Sequence, residues 1–275
     1  MRGRKANVAG LGLTTLTYAC ALAMIFPIIW TVLTSLKSEV DAVAQPPSLA
    51  FLPTLEHYRE AFLDQHYLEF FRNSMILALG STLLACVIGI PAAYGLSLQA
   101  AAKAQKTLSW ILSTKMLPVV GIVVPLLVLY KSLGLFDTYV GMILLYAAMN
   151  LPLVIWMMRS FFAEVPHELI EASSIDGAGT LRTLVSIVLP LALPGIAATA
   201  LLCVIFAWNE FFIAVNLTGS RTGTIPVYIS GFMTSEGLFW AKMSAASTLA
   251  IIPVFCLGLA AQRSLVRGLT MGAIK

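Results

Sequence analysis

Lys115 and Glu210 are charged side chains set inside apolar runs, each beside residues that disturb a helix or offer hydrogen bonds. Lys115 precedes Pro118, Gly121 and Pro125, Glu210 follows Trp208 and Asn209, and Asn150 and Pro152 interrupt a further apolar run. Charge at bilayer depth is costly, so such residues face a cavity or a partner, and the nearby prolines bend helices and free backbone groups. Together the types suit a neutral, hydroxyl-covered molecule that is losing its water. Asn donates and accepts, Lys donates, Glu accepts, and Trp gives a carbon chain an apolar surface. Lys115, Asn150, Trp208, Asn209 and Glu210 are therefore a candidate path for a polyhydroxylated solute. Plainer readings stand beside this one. Lys115 can snorkel to the interface or pair with an acid, Glu210 can lie near the opposite interface, and Asn150 can bind backbone freed by Pro152.

Other chemistry is poorly supported. His57, His66 and His167 are too scattered for a metal site and read as surface histidines. The four cysteines, Cys20, Cys86, Cys203 and Cys256, lie in apolar runs without paired spacing and read as small packing residues. There is no G-x-x-x-x-G-K-[ST] loop to cradle phosphates. No nucleophile has a base or metal cluster beside it, so no catalytic residue, metal or cofactor is expected on this chain.

The elements that must position the candidate residues are membrane helices. Of 275 residues, 59% are hydrophobic and 11% charged, against roughly 45–50% and about 25% in soluble domains. Six spans are expected, about 9–36, 73–98, 108–130, 139–162, 189–215 and 243–261, within one domain over residues 1–275. The sixth opens with small polar residues and is the weakest. The basic N-terminus with Ala19-Cys20-Ala21 resembles a signal peptide, but its apolar run continues through Trp30, long enough to span.

Basic residues set the orientation. On one side lie Arg2, Arg4, Lys5, Lys103, Lys106, Arg159, Arg182, Arg263, Arg267 and Lys275; on the other lie Lys37, Arg59, Arg72, Lys131, Arg221 and Lys242. Ten against six puts both termini in the cytoplasm. The net charge of +4 reflects that topology, and no basic stripe suggests nucleic acid.

Between the fourth and fifth spans, on the expected cytoplasmic side, runs the polar segment PHELIEASSIDGAGTLRTLVSIVLP from Pro166 to Pro190. It reads as helix, turn, helix. Pro166 suits a first helical turn, Asp176-Gly177 a stop and turn, and Thr180 the cap of the second helix. Ala172, Ser173, Ser174, Gly177, Ala178 and Gly179 are small enough to let a partner's backbone approach. The bland alternative is an interfacial helix joining two spans.

Glu171-Ala172, Asp176-Gly177-Ala178, then Ile187, Leu189 and Pro190 resemble the EAA motif of permease subunits in binding-protein-dependent ABC importers. Ser173 departs from it, standing where the named motif has a second alanine. The C-terminal run Gln262 to Lys275 resembles the ending of carbohydrate permeases related to the smaller maltose-transporter permease. Ser113 to Pro118, Ala207 to Glu210 and Glu236 to Lys242 look, more narrowly, like sorbitol/mannitol permeases.

The resemblance implies an all-α membrane protein with the type I ABC importer permease fold, in a bacterial cytoplasmic membrane. It implies a coupling loop over 163–190 seated in a cytoplasmic ATPase through Glu171, Ala172, Asp176, Gly177, Ala178 and Pro190. ATP and Mg would be bound by two ATPase subunits. The other expected partners are a second permease, most simply a different one, and an extracytoplasmic solute-binding protein. That protein would be received by the loops over 38–70 and 216–242. The C-terminal tail from Gly268 would also reach the ATPase. The expected cargo is a mannitol- or sorbitol-like polyol; the alternatives are another sugar or, with no inverted repeat to favour it, a secondary carrier.

Overall fold

The computed structural model describes residues 2–63, 65–234 and 237–271. Glu236 of the polyol-permease-like run and residues 272–275 of the C-terminal tail lie outside the described residues.

Apolar runs become helices because only a helix satisfies every backbone donor and acceptor within one segment. The chain runs through α1 (Arg2–Ser35), α2 (Glu39–Ala42), α3 (Glu56–Leu63) and α4 (Gln65–Ser97). It continues through α5 (Ala101–Ser113), α6 (Val119–Ser132), α7 (Tyr139–Phe162), α8 (His167–Ile175) and α9 (Thr180–Thr183). After these come α10 (Leu189–Leu191), α11 (Leu193–Trp208), α12 (Phe212–Leu217), α13 (Ile225–Ser230) and α14 (Trp240–Met271). Apart from a two-residue ladder pairing Met233–Thr234 with Gly237–Leu238, the described residues form no strands.

Among the described residues four helices, in α1, α4, α7 and α14, are long and apolar enough to cross a membrane, and there are up to six such crossings if each of two bent pairs is one span. The first bend, 84°, separates α5 from α6. Pro118 causes it: the residue before a proline is forced out of the helical region, and Leu117 adopts φ −64°, ψ 122°. The second, 82°, falls before α11. There Leu184–Val188 is a single π turn, Pro190 and Pro194 remove amide donors, and Ala192 leaves the helical region. Each of these features breaks the regular hydrogen-bond ladder.

The chain packs as two units, Met1–Leu68 with Ile229–Ile251 and Glu69–Tyr228 with Ile252–Lys275. In the first, Glu39 caps the start of α14, its carboxylate accepting the Ala241 and Lys242 amide hydrogens at 3.0 and 2.9 Å. Lys242 reaches Glu60 at 3.2 Å. Lys37 is 2% exposed, its Nζ lying 4.9 Å from the centre of the Trp30 ring and 5.2 Å from that of Phe51, so aromatic faces replace water around the cation. His57 corrects its reading as a surface histidine. It is buried, because α3 folds back on the chain leaving α1, and its Nε2 lies 3.1 Å from the Lys37 carbonyl. His66 and His167 are exposed.

The second unit has two apolar clusters. One packs Ala85, Tyr94, Val154, Met158, Phe162, Leu184, Val188 and Cys203; the other packs Leu77, Met142, Tyr146, Trp208, Ile213 and Leu217. Gly195 lets α11 lie against α7, since a Cβ there would sit 2.3 Å from the Phe161 ring. All four cysteines are free; Cys203 is buried, while Cys20 and Cys256 are exposed among lipid-type surface residues.

Asp137, in the loop between α6 and α7, ties that loop to the one after α12. Its backbone is left-handed, φ 52°, a conformation Asp tolerates better than most residues. Its carboxylate accepts the amide hydrogens of Gly219, Arg221 and Thr222 at 2.8, 3.2 and 2.9 Å and the Thr222 hydroxyl at 2.7 Å. Burial alone would raise its pKa, but these hydrogen bonds to the charged form hold it below the usual carboxylate value. A group with a depressed folded pKa contributes stability above its unfolded pKa and loses it as pH falls through the folded one. We therefore expect Asp137→Asn to lower the thermal midpoint of the detergent-solubilised protein. The gap to wild type should be constant above about pH 5 and shrink as pH falls below roughly 4. A gap independent of pH down to 3 would remove the charged-acceptor explanation.

Candidate functional site

Two groups of candidate residues lie in the second unit. The first is the loop over 163–190. Pro166 caps α8, and Glu171 and Ala172 lie exposed on its outer face. Asp176 ends the helix, its amide hydrogen bonded to the Ala172 carbonyl at 3.0 Å. Gly177 follows at φ 77°, a conformation glycine alone takes without strain, and the Ala178 amide closes the turn on the Ser173 carbonyl at 2.9 Å. This pattern of carbonyls satisfied around a left-handed glycine is the usual way to stop a helix sharply. The expected cap at Thr180 is corrected: Gly179, with extended backbone, takes the cap position and Thr180 is the first residue of α9. The Gly179 carbonyl accepts the Thr183 amide hydrogen at 3.0 Å, the first bond of that helix, and no side chain caps it.

The turn therefore presents Glu171, Ala172, Asp176 and Gly177 outward as one contiguous patch, with Ala178 half-buried behind them. Pro190 lies apart, in α10 beyond the π turn, and is exposed. Ile175 and Leu181 flank the turn at 86% and 71% exposure. Sequence reasoning passed over both, although two large apolar residues bracketing a polar, glycine-rich turn are themselves a signal.

The second group surrounds the bend between α5 and α6. Lys115, Asn150 and Glu210 line one cavity of about 180 Å³, together with Tyr146, Met149, Phe206 and Ala207. Lys115 also lines a neighbouring cavity of about 270 Å³ with Thr114, Ile122, Met149 and Pro152. Its Nζ lies 5.3 Å from the centre of the Phe206 ring. Asn150 is buried and donates to the Cys203 carbonyl at 3.3 Å, so it serves a neighbouring helix rather than the backbone freed by Pro152. Glu210 accepts the Ile213 amide hydrogen at 3.0 and 3.1 Å, that of Ala214 at 3.1 Å, and the Tyr146 hydroxyl at 3.4 Å.

Trp208 and Asn209 do not join the cavity. Trp208 is buried edge-on against Phe71, ring centres 5.6 Å apart, because its position on α11 faces α4. Asn209 is exposed, and its amide donates to the Ile205 carbonyl one turn back at 2.8 Å. Tyr146 was missed, though it sits four residues before Asn150 and hence on the same face of α7. Among the described residues no group of His, Cys, Asp and Glu could hold a metal ion.

The arrangement offers a small cavity with one cation, one amide and one carboxylate, and separately an exposed turn around Gly177. Its fold is that of a transporter subunit. The crystal structure of a bacterial ABC transporter importing the acidic polysaccharide alginate contains a chain that superposes with a TM-score of 0.74 at 23% identity, covering 94% of this chain and 97% of that one. A probable ABC transporter permease of Sinorhizobium fredii is 37% identical over 258 residues, 93% of each chain. The trehalose/maltose transport system permease of Thermococcus litoralis is 35% identical over 260 residues, again 93% of each. The model of the family described as "Binding-protein-dependent transport system inner membrane component" matches residues 85–271. With both its longest part and its nearly full length so matched, the chain belongs to that family and is a multi-pass permease subunit of an ABC transporter in the cytoplasmic membrane.

Proposed function

We propose that this permease serves an ATP-driven carbohydrate importer, that its cargo is a polyol of the mannitol or sorbitol kind, and that the turn around Gly177 is its coupling element. As a permease it is not itself an enzyme. ATP and Mg are bound by a pair of ATPase subunits in the cytoplasm, where both termini of this chain also lie. A second, different permease completes the pathway, and a solute-loaded binding protein docks from outside.

The observation that carries the coupling reading is the outward patch of Glu171, Ala172, Asp176 and Gly177 with exposed Ile175 and Leu181 beside it. Large apolar residues left in water on a polar loop mark a contact surface, and small residues at a tight turn let another backbone approach. The carbohydrate reading is supported by the trehalose/maltose relative. The polyol reading rests on the sorbitol/mannitol-permease-like runs and on the cavity chemistry, in which Lys115 donates and Glu210 accepts.

The deciding experiment is purification of the chain with its bound partners, followed by ATPase assays with candidate loaded binding proteins. Stimulation by a mannitol- or sorbitol-loaded protein is the expected result; stimulation by a different sugar alone redirects the cargo. Lys115→Met should then raise the half-saturating solute concentration in reconstituted vesicles about fivefold to tenfold, the worth of one net hydrogen bond of about 1 kcal/mol. Asn209→Ala, whose side chain is already engaged by its own helix, should leave selectivity unchanged. A wild-type value for Lys115→Met removes this cavity from the solute path.

A further inference from the structure

Ser173 departs from the motif that the coupling segment resembles, and the structure turns it away from the docking patch. It is 4% exposed, Thr183 is 3% exposed, and their hydroxyl oxygens lie 2.9 Å apart. Ser173 also reaches the Ile170 carbonyl at 2.7 Å, whereas the contact of Thr183 with the Gly179 carbonyl is longer, 3.3 Å. Each hydroxyl has one proton. The short contacts are all satisfied when Thr183 donates to Ser173 and Ser173 donates to Ile170. A chain of hydrogen bonds then runs from α9 through the two hydroxyls into the backbone of α8.

We propose that this buried Ser173–Thr183 clasp is the device that makes α8, the Gly177 turn and α9 one rigid lever, so that movement at the docking patch passes undiminished into the π turn and α11. The inference rests on the coupling reading above. Three features support it. Across the Asp176 to Gly179 turn, the Ser173–Thr183 pair is the side-chain hydrogen bond that joins α8 to α9. Both hydroxyls are shielded from water, where a hydrogen bond is stronger and an orphaned hydroxyl costlier. Beyond Thr183 the chain enters the π turn Leu184–Val188 directly, and Leu184 and Val188 are packed in the core. An alanine at 173 would leave α8 and α9 joined by backbone and apolar contact alone. Ser173 and Thr183 are positioning residues in this account, since neither meets solute or nucleotide.

The test uses the whole importer in proteoliposomes and reads solute moved per ATP hydrolysed, with the amount of inserted chain as a control for folding. Ser173→Ala and Thr183→Val should each lower that ratio about fivefold, the equivalent of one net hydrogen bond. Thr183→Ser, which keeps the hydroxyl, should restore it. The double variant Ser173→Ala/Thr183→Val should be no worse than either single one, as expected for partners in one interaction. Wild-type ratios in both single variants while Gly177→Asp still uncouples would overturn the clasp and leave the coupling reading standing. If Gly177→Asp also behaves as wild type, the coupling reading fails and the clasp with it. Additive losses in the double variant likewise overturn the clasp, because the two residues would then act separately.

Discussion

Replacing Gly177 by aspartate is expected to abolish most solute uptake while the chain still inserts and folds. The two halves of that expectation have different physical sources. A Cβ at position 177 would meet nothing within 4 Å, so no internal clash opposes folding. The conformation itself, φ 77°, costs a side chain roughly 1–2 kcal/mol of local strain, which an entire membrane domain tolerates. The larger effect falls on the partner. The patch already carries Glu171 and Asp176, and a further carboxylate at the apex would have to be desolvated against whatever surface receives the turn. Hot-spot contacts at the centre of an interface cost about 2 kcal/mol or more when disrupted, so uptake should fall roughly thirtyfold or more. Gly177→Ala carries the strain without the charge and should lose far less. The measurement is uptake of the labelled solute into vesicles, normalised to inserted chain; normal uptake by Gly177→Asp would end the coupling assignment.

That turn was legible in the sequence because its determinants are local. Proline before a helix, aspartate and glycine at its end, and small residues between act over a few bonds. The same holds for the sharp bend at Pro118, and for α7, whose bounds Tyr139–Phe162 coincide with the span read from hydropathy. What escaped was set by partners far along the chain. Asp137 has an unremarkable loop context, and only the fold brings it to Gly219 and Thr222, some 82 and 85 residues away. Glu39 likewise meets α14 across 202 residues. His57 looked exposed because a polar loop was expected around it, whereas α3 lays it on the Lys37 carbonyl.

The candidate path shows the same division. Sequence could name Lys115, Asn150, Trp208, Asn209 and Glu210 by type, but not by direction. The helix α11 ends at Trp208, so Trp208, Asn209 and Glu210 straddle its end and leave the backbone in different directions. One turns to the core, one to its own backbone, and one to the cavity. The residue that replaces them in the lining, Tyr146, carries its hydroxyl to the same Glu210 carboxylate.

Glu210 consequently carries two duties, and its variants should separate them. Between the end of α11 and the start of α12 the chain leaves amide hydrogens without helical partners, and the Glu210 carboxylate takes those of Ile213 and Ala214. Ile213 and Ala214 are fully buried, so water cannot substitute. Glu210→Ala therefore orphans two donors, at about 1–3 kcal/mol each, and should cost roughly 2–6 kcal/mol. The expected result is a chain that accumulates poorly and unfolds at markedly lower temperature in detergent. Glu210→Gln retains one oxygen able to accept from both amides while losing the charge, so it should accumulate normally. Its transport then reports on the solute. If the carboxylate accepts from the hydroxyls of the cargo, the half-saturating concentration rises several-fold in the Gln variant, because a charged acceptor is worth more than a neutral one. An unchanged value in Glu210→Gln, with collapse confined to Glu210→Ala, would assign the residue wholly to holding the bend between α11 and α12.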